Sequence, residues 1–510
     1  MYQKIAFQSL FAGFIVLFPF SGIAAERADL LARNSADSCC NGCVSETDWL
    51  DSIFSIGESF KDMELDFLYG LDVLDGGILS CGGELRLRTM DEDNRIRPGG
   101  PGRTTYTLWR WRNHLDFKAD RFRLYVEMLD ASQFGEELPV TGIDVNRWNV
   151  HNLFVDLDLL QWNSRPITFR VGRQELQYGS QQLVSSLEWG NTRRNFEGFR
   201  LISEGDNWVF DAFATRPVNT ATFLNAAQVG GQGAIARFGN ERDEVDDTRW
   251  FSGIYTVYRG IRNHTLDAYW VWLETDSFAD AVMGPGSVGG DRHTIGLRWQ
   301  TTHRITDAYC QATQVWNVEL EGAYQWGKDN RSIAGVIARR TVRAGFFTSK
   351  IGVSLPQILW MPTVKVVYYW GSGDNDSVDG EDNTFCQLFP LGHAYWGLID
   401  NQSGQNLHDY SVQGAIKPTK KLTILGAVHW FSLDSSSDAL YNVAGVAFPA
   451  TVPLRSKDVG EEFDLVATYA IHANLNVQFG YSWFWNGRFI SQNIPRGDAN
   501  QIYVQTTFKY

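Results

Sequence analysis

Beyond its first 25 residues the 510-residue chain has no long stretch that is uniformly apolar, although 44% of its residues are hydrophobic; mean hydropathy is −0.24. Ordinary transmembrane helices, which need roughly 20 apolar residues in a row, are thereby excluded. Positive charge is in deficit: 45 Lys and Arg against 59 Asp and Glu leave a net charge of −14, which argues against nucleic acid as a partner. There are only six cysteines, at 39, 40, 43, 81, 310 and 386. Cys40 and Cys43 form a C-x-x-C, but Val44 follows in place of His, so c-type haem attachment is not indicated. No second cysteine or histidine pair completes a zinc site at the usual spacing. A G-x-S-x-G motif is also missing, and with it the nucleophile signature expected of a barrel lipase or protease. His114, His151, His293 and His429 fall within strand-like segments, where a lone histidine reads as a belt or lumen residue. No motif recurs every 40–50 residues, against a soluble β-propeller.

What is present points to export and to strands. Lys4, an uncharged apolar run and the small residues Ser21 to Ala25 have the form of a secretory signal peptide over 1–25. Residues 26–80 are irregular, with an amphipathic stretch "DWLDSIFSIGESF" from Asp48, and read as a periplasmic lead-in that could carry one short helix. The clustered Cys39, Cys40 and Cys43 follow the export signal, which allows a disulfide somewhere in this amino-terminal segment, its pairing open.

From residue 81 to 510 the chain becomes a series of alternating segments. In "TLWRWRNHLDFKA", Trp109, Trp111, Leu115 and Phe117 oppose Arg110, Arg112, His114, Asp116 and Lys118. In the final "QIYVQTTFKY", Ile502, Val504, Thr506 and Phe508 alternate with Tyr503, Gln505, Thr507 and Lys509. About eighteen such segments of roughly 8–12 residues have the length of tilted membrane strands, each with one greasy and one wet face. Aromatics at 14% suit the two headgroup belts of such a barrel. Connections near 118, 204, 259, 417 and 472 are tight, whereas those at about 91–105, 131–147, 175–196, 215–249, 275–291, 371–406 and 432–460 are long. The expected fold is an all-β transmembrane antiparallel barrel of about 18 strands, with the last strand closing the ring. That strand is also where the barrel-assembly machinery is expected to engage the chain, outer-membrane lipid surrounding the barrel.

The wet faces carry an excess of arginine. Arg86, Arg88, Arg110, Arg112, Arg123, Arg170, Arg200, Arg298, Arg339 and Arg343 all fall opposite apolar neighbours, as does Lys365. Guanidinium groups in a partly desolvated channel hold carboxylates in a bidentate fork, which would favour an anionic solute. The alternative is structural pairing, since Glu84, Asp116, Glu127, Asp156, Glu319 and Glu321 share those faces. In the loop after Gly371, Asp374, Asp376, Asp379 and Asp382 crowd around Gly380, hard oxygens that could hold a structural Ca²⁺. The spacing is not that of an EF-hand, and a solvated acidic loop is the competing reading.

Two long stretches carry a resemblance. "GDNDSVDGEDNTFCQLFPLGHAYWG", with Phe385, Phe389, Pro390, His393 and Tyr395, is similar to the alginate export family of outer-membrane proteins. So is "FRVGRQELQYGSQQLVSSLEWGNTRRNFEGFRL", with Arg173, Gln174 and the paired Arg193 and Arg194. The resemblance implies an eighteen-stranded barrel with an electropositive lumen, in a family whose founding member secretes the polyuronate alginate, and a monomer as the default. The expectation is therefore a non-catalytic outer-membrane channel for an anionic sugar polymer or oligomer, selective through lumen arginines and gated by loops such as 371–406. A general or differently selective porin is the alternative.

Overall fold

The computed structural model describes residues 68–510, apart from 74–75, 98–100, 139, 141–142, 163–164, 220–242, 276–286, 334–335, 377, 449–455 and 495. The expected signal peptide, the three clustered cysteines and the amphipathic stretch from Asp48 lie outside the described residues, as does most of loop 215–249.

Among the described residues eighteen strands make the wall. They are β1 (Gly77–Asp93), β2 (Arg103–Ala119), β3 (Phe122–Phe134), β4 (Asn146–Trp162), β5 (Arg165–Gln174) and β6 (Phe196–Glu204). Then come β7 (Trp208–Asn219), β8 (Arg249–Tyr258), β9 (His264–Thr275), β10 (Ser287–Thr306), β11 (Ala312–Ile333) and β12 (Val336–Ser354). The last six are β13 (Thr363–Gly371), β14 (Leu407–Thr419), β15 (Leu422–Leu433), β16 (Asp458–His472), β17 (Leu475–Asn486) and β18 (Ala499–Lys509). Each is antiparallel to its neighbours, and β18 also pairs with β1, from Lys509 opposite Glu84 to Asn500 opposite Asp93. The ring is closed, so no strand edge is left with unpaired backbone groups facing lipid. Tyr510 completes the seam: Gly83 donates its N–H to the Tyr510 carbonyl at 2.7 Å, and Trp111 Nε1 donates to the Tyr510 hydroxyl at 2.8 Å. No helix among the described residues is long and apolar enough to cross a membrane.

The period of two decides which side chains meet lipid. On β18, Ile502, Val504 and Phe508 are exposed while Gln501, Tyr503 and Thr507 are buried. On β9 and β10, Trp270, Ile295 and Leu297 face out while Tyr269 and Arg298 face in. The Tyr503 ring lies across Gly480 of β17, where a Cβ would come within 2.0 Å of it, so only glycine accommodates that packing. Strands run longer than the 8–12 residues expected, up to 22 in β11, because β10, β11 and β12 stay paired beyond the long-loop ends of β9 and β13.

One rim carries only short connections, including 120–121, 205–207, 259–263, 307–311, 355–362, 420–421 and 473–474. By the asymmetry of such barrels this is the periplasmic side. From the opposite rim, loops 175–195 and 372–406 fold back into the lumen. Leu176, Tyr178 and Val184 of the first, and Phe385, Phe389, Trp396 and Ile399 of the second, form one buried cluster with wall residues Phe213, Phe251, Tyr269, Phe346 and Phe431. The loops are tied by a parallel bridge between Val184 and Phe389 and by backbone bonds from Ser185 N to Phe389 O (2.9 Å) and from Leu391 N to Gln181 O (3.0 Å). Pairing the two loops satisfies backbone groups that the lumen would otherwise bury unbonded. Each fully buried aromatic of this cluster contributes about 1.5–3 kcal/mol relative to exposure.

Candidate functional site

The site is the seam where the two inward loops meet the wall. Alternation turns Arg86 and Arg88 of β1 and Arg110 of β2 into the lumen, and each seizes loop 175–195. Arg110 is fully buried; it donates to the Glu84 carboxylate (2.5 Å), the Glu188 carboxylate (2.5 Å) and the carbonyls of Glu188 and Gly190 (3.2 and 3.1 Å). Arg86 donates to the Glu188 and Gly190 carbonyls, both at 2.9 Å, and lies 3.8 Å from the Glu188 carboxylate. Arg88 donates to the Gln505 side chain (2.7 Å) and the Trp189 carbonyl (3.0 Å). Its guanidinium also sits 3.4 Å from the Trp189 ring centre, and His393 of the second loop stacks on the same ring at 3.6 Å. Two groups at that spacing must occupy opposite faces, so Trp189 is sandwiched between the wall and the other loop.

A ring of ion pairs runs round the periplasmic half of the lumen. Arg112 meets Glu127 at 2.5 Å, Arg123 meets Asp116 at 2.7 Å, and Arg170 meets Asp156 at 2.6 Å. Arg200 pairs with Asp211, while Arg298 bridges Asp267 (3.0 Å) and Glu319 (2.7 Å). Lys350 also holds Glu319, at 2.6 Å. Arg339 and Arg343, expected in the lumen, stand instead on the outward side of β12, both exposed; Arg340, Val342 and Ala344 are the residues buried inside. The apolar alternate residues of that stretch turn inward, where Ala344 and Phe346 pack in the loop cluster, so the polar alternate residues face out. Arg343 pairs with Glu381 at 2.7 Å, and Arg340 pairs with Asp374.

The residues of the two family-like stretches converge on the seam. Arg193 holds Glu175 at 2.5 Å, and His151 of β4 reaches the same carboxylate at 2.7 Å. Arg194 donates to the carbonyls of Phe389 (2.6 Å), Pro390 (3.3 Å) and Ser185 (3.3 Å), so its cation is taken up by carbonyl oxygens of both loops. Burial pulls its guanidinium down to about 10. Phe385, Phe389, Pro390 and His393 are buried, and the Tyr395 hydroxyl donates to the Ser180 carbonyl. Gln174 is buried at the end of β5, while Arg173 turns to Glu197 (3.1 Å) and the Asp243 carbonyl (3.3 Å), away from the seam.

The acidic residues considered for Ca²⁺ have other partners. Asp382 pairs with Arg292 at 2.8 Å; Asp376 and Asp379 accept from the backbone of Val378 (3.1 Å) and Glu381 (2.8 Å). Among the described residues no group of three or more His, Cys, Asp or Glu side chains is arranged to hold a metal ion. Carboxylates gather elsewhere, on the wall facing the second loop. Asp409 accepts from His429 at 2.9 Å and Glu462 accepts from Ile399 N at 2.8 Å, while on the loop itself Asp400 holds both His393 (3.0 Å) and Arg95 (3.3 Å). Sequence reasoning passed over this cluster and Trp189. Asp409, Glu462 and Asp464 do alternate with lipid-facing residues and were legible as lumen groups; Trp189, on a loop, had no period to mark it.

His393 supplies a pH dependence. Burial, with Arg88 nearby, lowers its basicity, against the opposing pull of Asp400 and Asp464. A base that is less basic in the folded seam stabilises it fully above the ordinary histidine value of about 6.5 and loses that contribution as pH falls through the lower folded value. Acidification from pH 8 to 5 is therefore expected to loosen the Trp189–His393 stack, read as a rise in open-channel noise that His393→Gln removes. Noise independent of pH in the parent protein would contradict this.

The alginate export family model matches residues 78–504. No curated protein matches in sequence. In structure the chain is similar to OprD from Pseudomonas aeruginosa, with TM-score 0.52 and 12% identity over 87% of this chain and 97% of that one. It is also similar to Pseudomonas aeruginosa OpdK with vanillate, at TM-score 0.52 and 12% identity over 84% and 98%, and to Acinetobacter baumannii OccAB2, at 0.51 and 11% over 84% and 98%. At such identities these likenesses show the barrel fold alone. The match over most of the chain, on a closed eighteen-stranded ring with inward loops, shows that the protein is an outer-membrane transport channel, not an enzyme, and that it belongs to the alginate export family.

Proposed function

We propose that the channel passes an anionic sugar polymer or oligomer of the polyuronate kind by passive diffusion, guided by guanidinium groups at the loop seam. The observation that carries this reading is the unequal pairing of the arginines. Arg112, Arg123, Arg170, Arg200 and Arg298 are each matched by carboxylates. Arg88 and Arg194 are held by carbonyl and carboxamide oxygens, which satisfy their donors without cancelling their charge. An uncancelled cation in a narrow, partly desolvated passage favours carboxylates over neutral solutes. The paired ring and the acidic wall favour the second reading, a differently selective porin whose arginines are structural. Reversal potential under a KCl gradient in a planar bilayer separates the two. Anion preference that falls in an Arg88→Gln, Arg194→Gln double variant supports polyanion passage; cation preference, or no change in the variant, overturns it.

A further inference from the structure

The turns at 307–311 and 355–362 form one apolar prominence on the periplasmic rim. Gln357 joins them by donating to Asp307 at 2.8 Å. Tyr309, Ile358, Leu359 and Trp360 stand out of it with 85%, 53%, 78% and 49% of their surface exposed. Trp360 and Met361 are held at φ of +67° and +46°, a strained conformation that persists only where surroundings enforce it. Here the enforcement is backbone bonding: Met361 N to Ile358 O at 2.8 Å, Leu355 N to Pro362 O at 2.9 Å, and Lys417 N to Trp360 O at 2.7 Å. Four large apolar side chains are thus presented to the aqueous side at the tips of turns, beyond the strand ends, which marks an interaction surface.

Cys310 sits beside Tyr309 and is disulfide-bonded. Of the six cysteines, Cys81 and Cys386 keep their thiols, which leaves Cys39, Cys40 or Cys43 as its partner within the chain. We propose that residues 39–62 dock on this prominence, pinned by a disulfide from Cys310 to one of those three cysteines. Apolar Trp49, Ile53, Ile56 and Phe60 recur at spacings of three and four, the pattern of one helical face, matching the apolar tips in kind. The same stretch is acidic, with Asp48, Asp51, Glu58 and Asp62 against a single Lys61, and the rim beside Trp360 is basic, with Lys417, Lys420 and Lys421.

The reach is ample. The described chain begins at Leu68, in a short strand paired with the first residues of β1, while the 307–311 turn follows β10, on the opposite side of the eighteen-membered ring. Strand spacing and tilt give such a ring a diameter on the order of 35 Å. The 25 residues from Cys43 to Leu68 span about 80 Å when extended. Bond formation needs only the oxidising compartment that export provides: two thiols give up two electrons and two protons to a disulfide oxidant of that compartment, which is reduced to its dithiol as the two sulfurs join.

The test uses the full chain purified from outer membranes in detergent. Thiols are alkylated first, and the unreduced protein is digested with trypsin for mass spectrometry. The expected product is peptide 34–61, which holds all three clustered cysteines, linked to peptide 305–328, which holds Cys310. Hydrogen exchange of residues 48–60 is expected to be slow in the parent protein and to accelerate in Leu359→Asp, a change at the rim that leaves the disulfide in place. An alkylated Cys310, or a Cys310 linked to a second molecule, overturns the proposal. So does a linked pair whose exchange is unaffected by Leu359→Asp, which would assign the prominence to lipid headgroups instead.

Discussion

Replacing Arg110 by alanine is expected to destabilise the barrel by about 3–5 kcal/mol, because it leaves the Glu84 carboxylate buried without the guanidinium that contacts it and takes one cation from Glu188, which keeps Arg86 and Arg193. Glu84 and Glu188 both lie 2.5 Å from its guanidinium, and its side chain is 0% exposed. Loss of the bonds to the Glu188 and Gly190 carbonyls also releases loop 175–195 from the wall. The effect is measured as a fall in the urea midpoint for unfolding from micelles. Partial rescue by Glu84→Gln in the same chain would identify the unpaired carboxylate as the cause. A midpoint unchanged in Arg110→Ala would mean that Glu84 and Glu188 are hydrated and that the seam is looser than these contacts imply.

Replacing Phe385–Gln402 by a short Gly-Ser linker is expected to raise single-channel conductance severalfold while leaving the barrel folded. Phe385, Phe389, Trp396 and Ile399 fill the centre of the lumen, and all four would leave with the excised segment. The ring itself does not depend on them, since its ladder runs unbroken from β1 to β18 and back. The excision points are close in space: Ser372 donates its hydroxyl to the Asn383 carbonyl at 2.7 Å and accepts from Asn406 N at 3.3 Å through its own carbonyl. A short linker can therefore replace the loop without straining β13 or β14. Conductance equal to that of the parent chain would show that the loop does not set the constriction.

How much of this was legible beforehand depends on periodicity. A strand buried on one side and bathed in lipid on the other writes its fold into alternate residues, so β1, β2, β11, β17 and β18 could be assigned face by face from sequence. The closing role of β18 followed from the same alternation. Arg339 and Arg343 failed because β12 rises beyond its lipid-covered section, where the outward face is again polar and alternation no longer separates lumen from exterior. The seam was the least legible part. Arg110 could be placed on an inward face, but not the carbonyls of Glu188 and Gly190 that it binds 78 and 80 residues away, because a loop folding back into a lumen has no repeat to betray it. The acidic stretch after Gly371 admitted both a cation site and a solvated loop for a similar reason. Its carboxylates are spoken for by Arg340, Arg292 and backbone N–H groups, partners that spacing alone cannot reveal.

The most direct test of the central claim is efflux from proteoliposomes loaded with a labelled oligouronate and a neutral oligosaccharide of equal length. If uncancelled guanidinium groups at the seam select the solute, the uronate leaves faster, and the difference shrinks in the Arg88→Gln, Arg194→Gln double variant. Equal rates in the parent protein, or faster release of the neutral sugar, would contradict it.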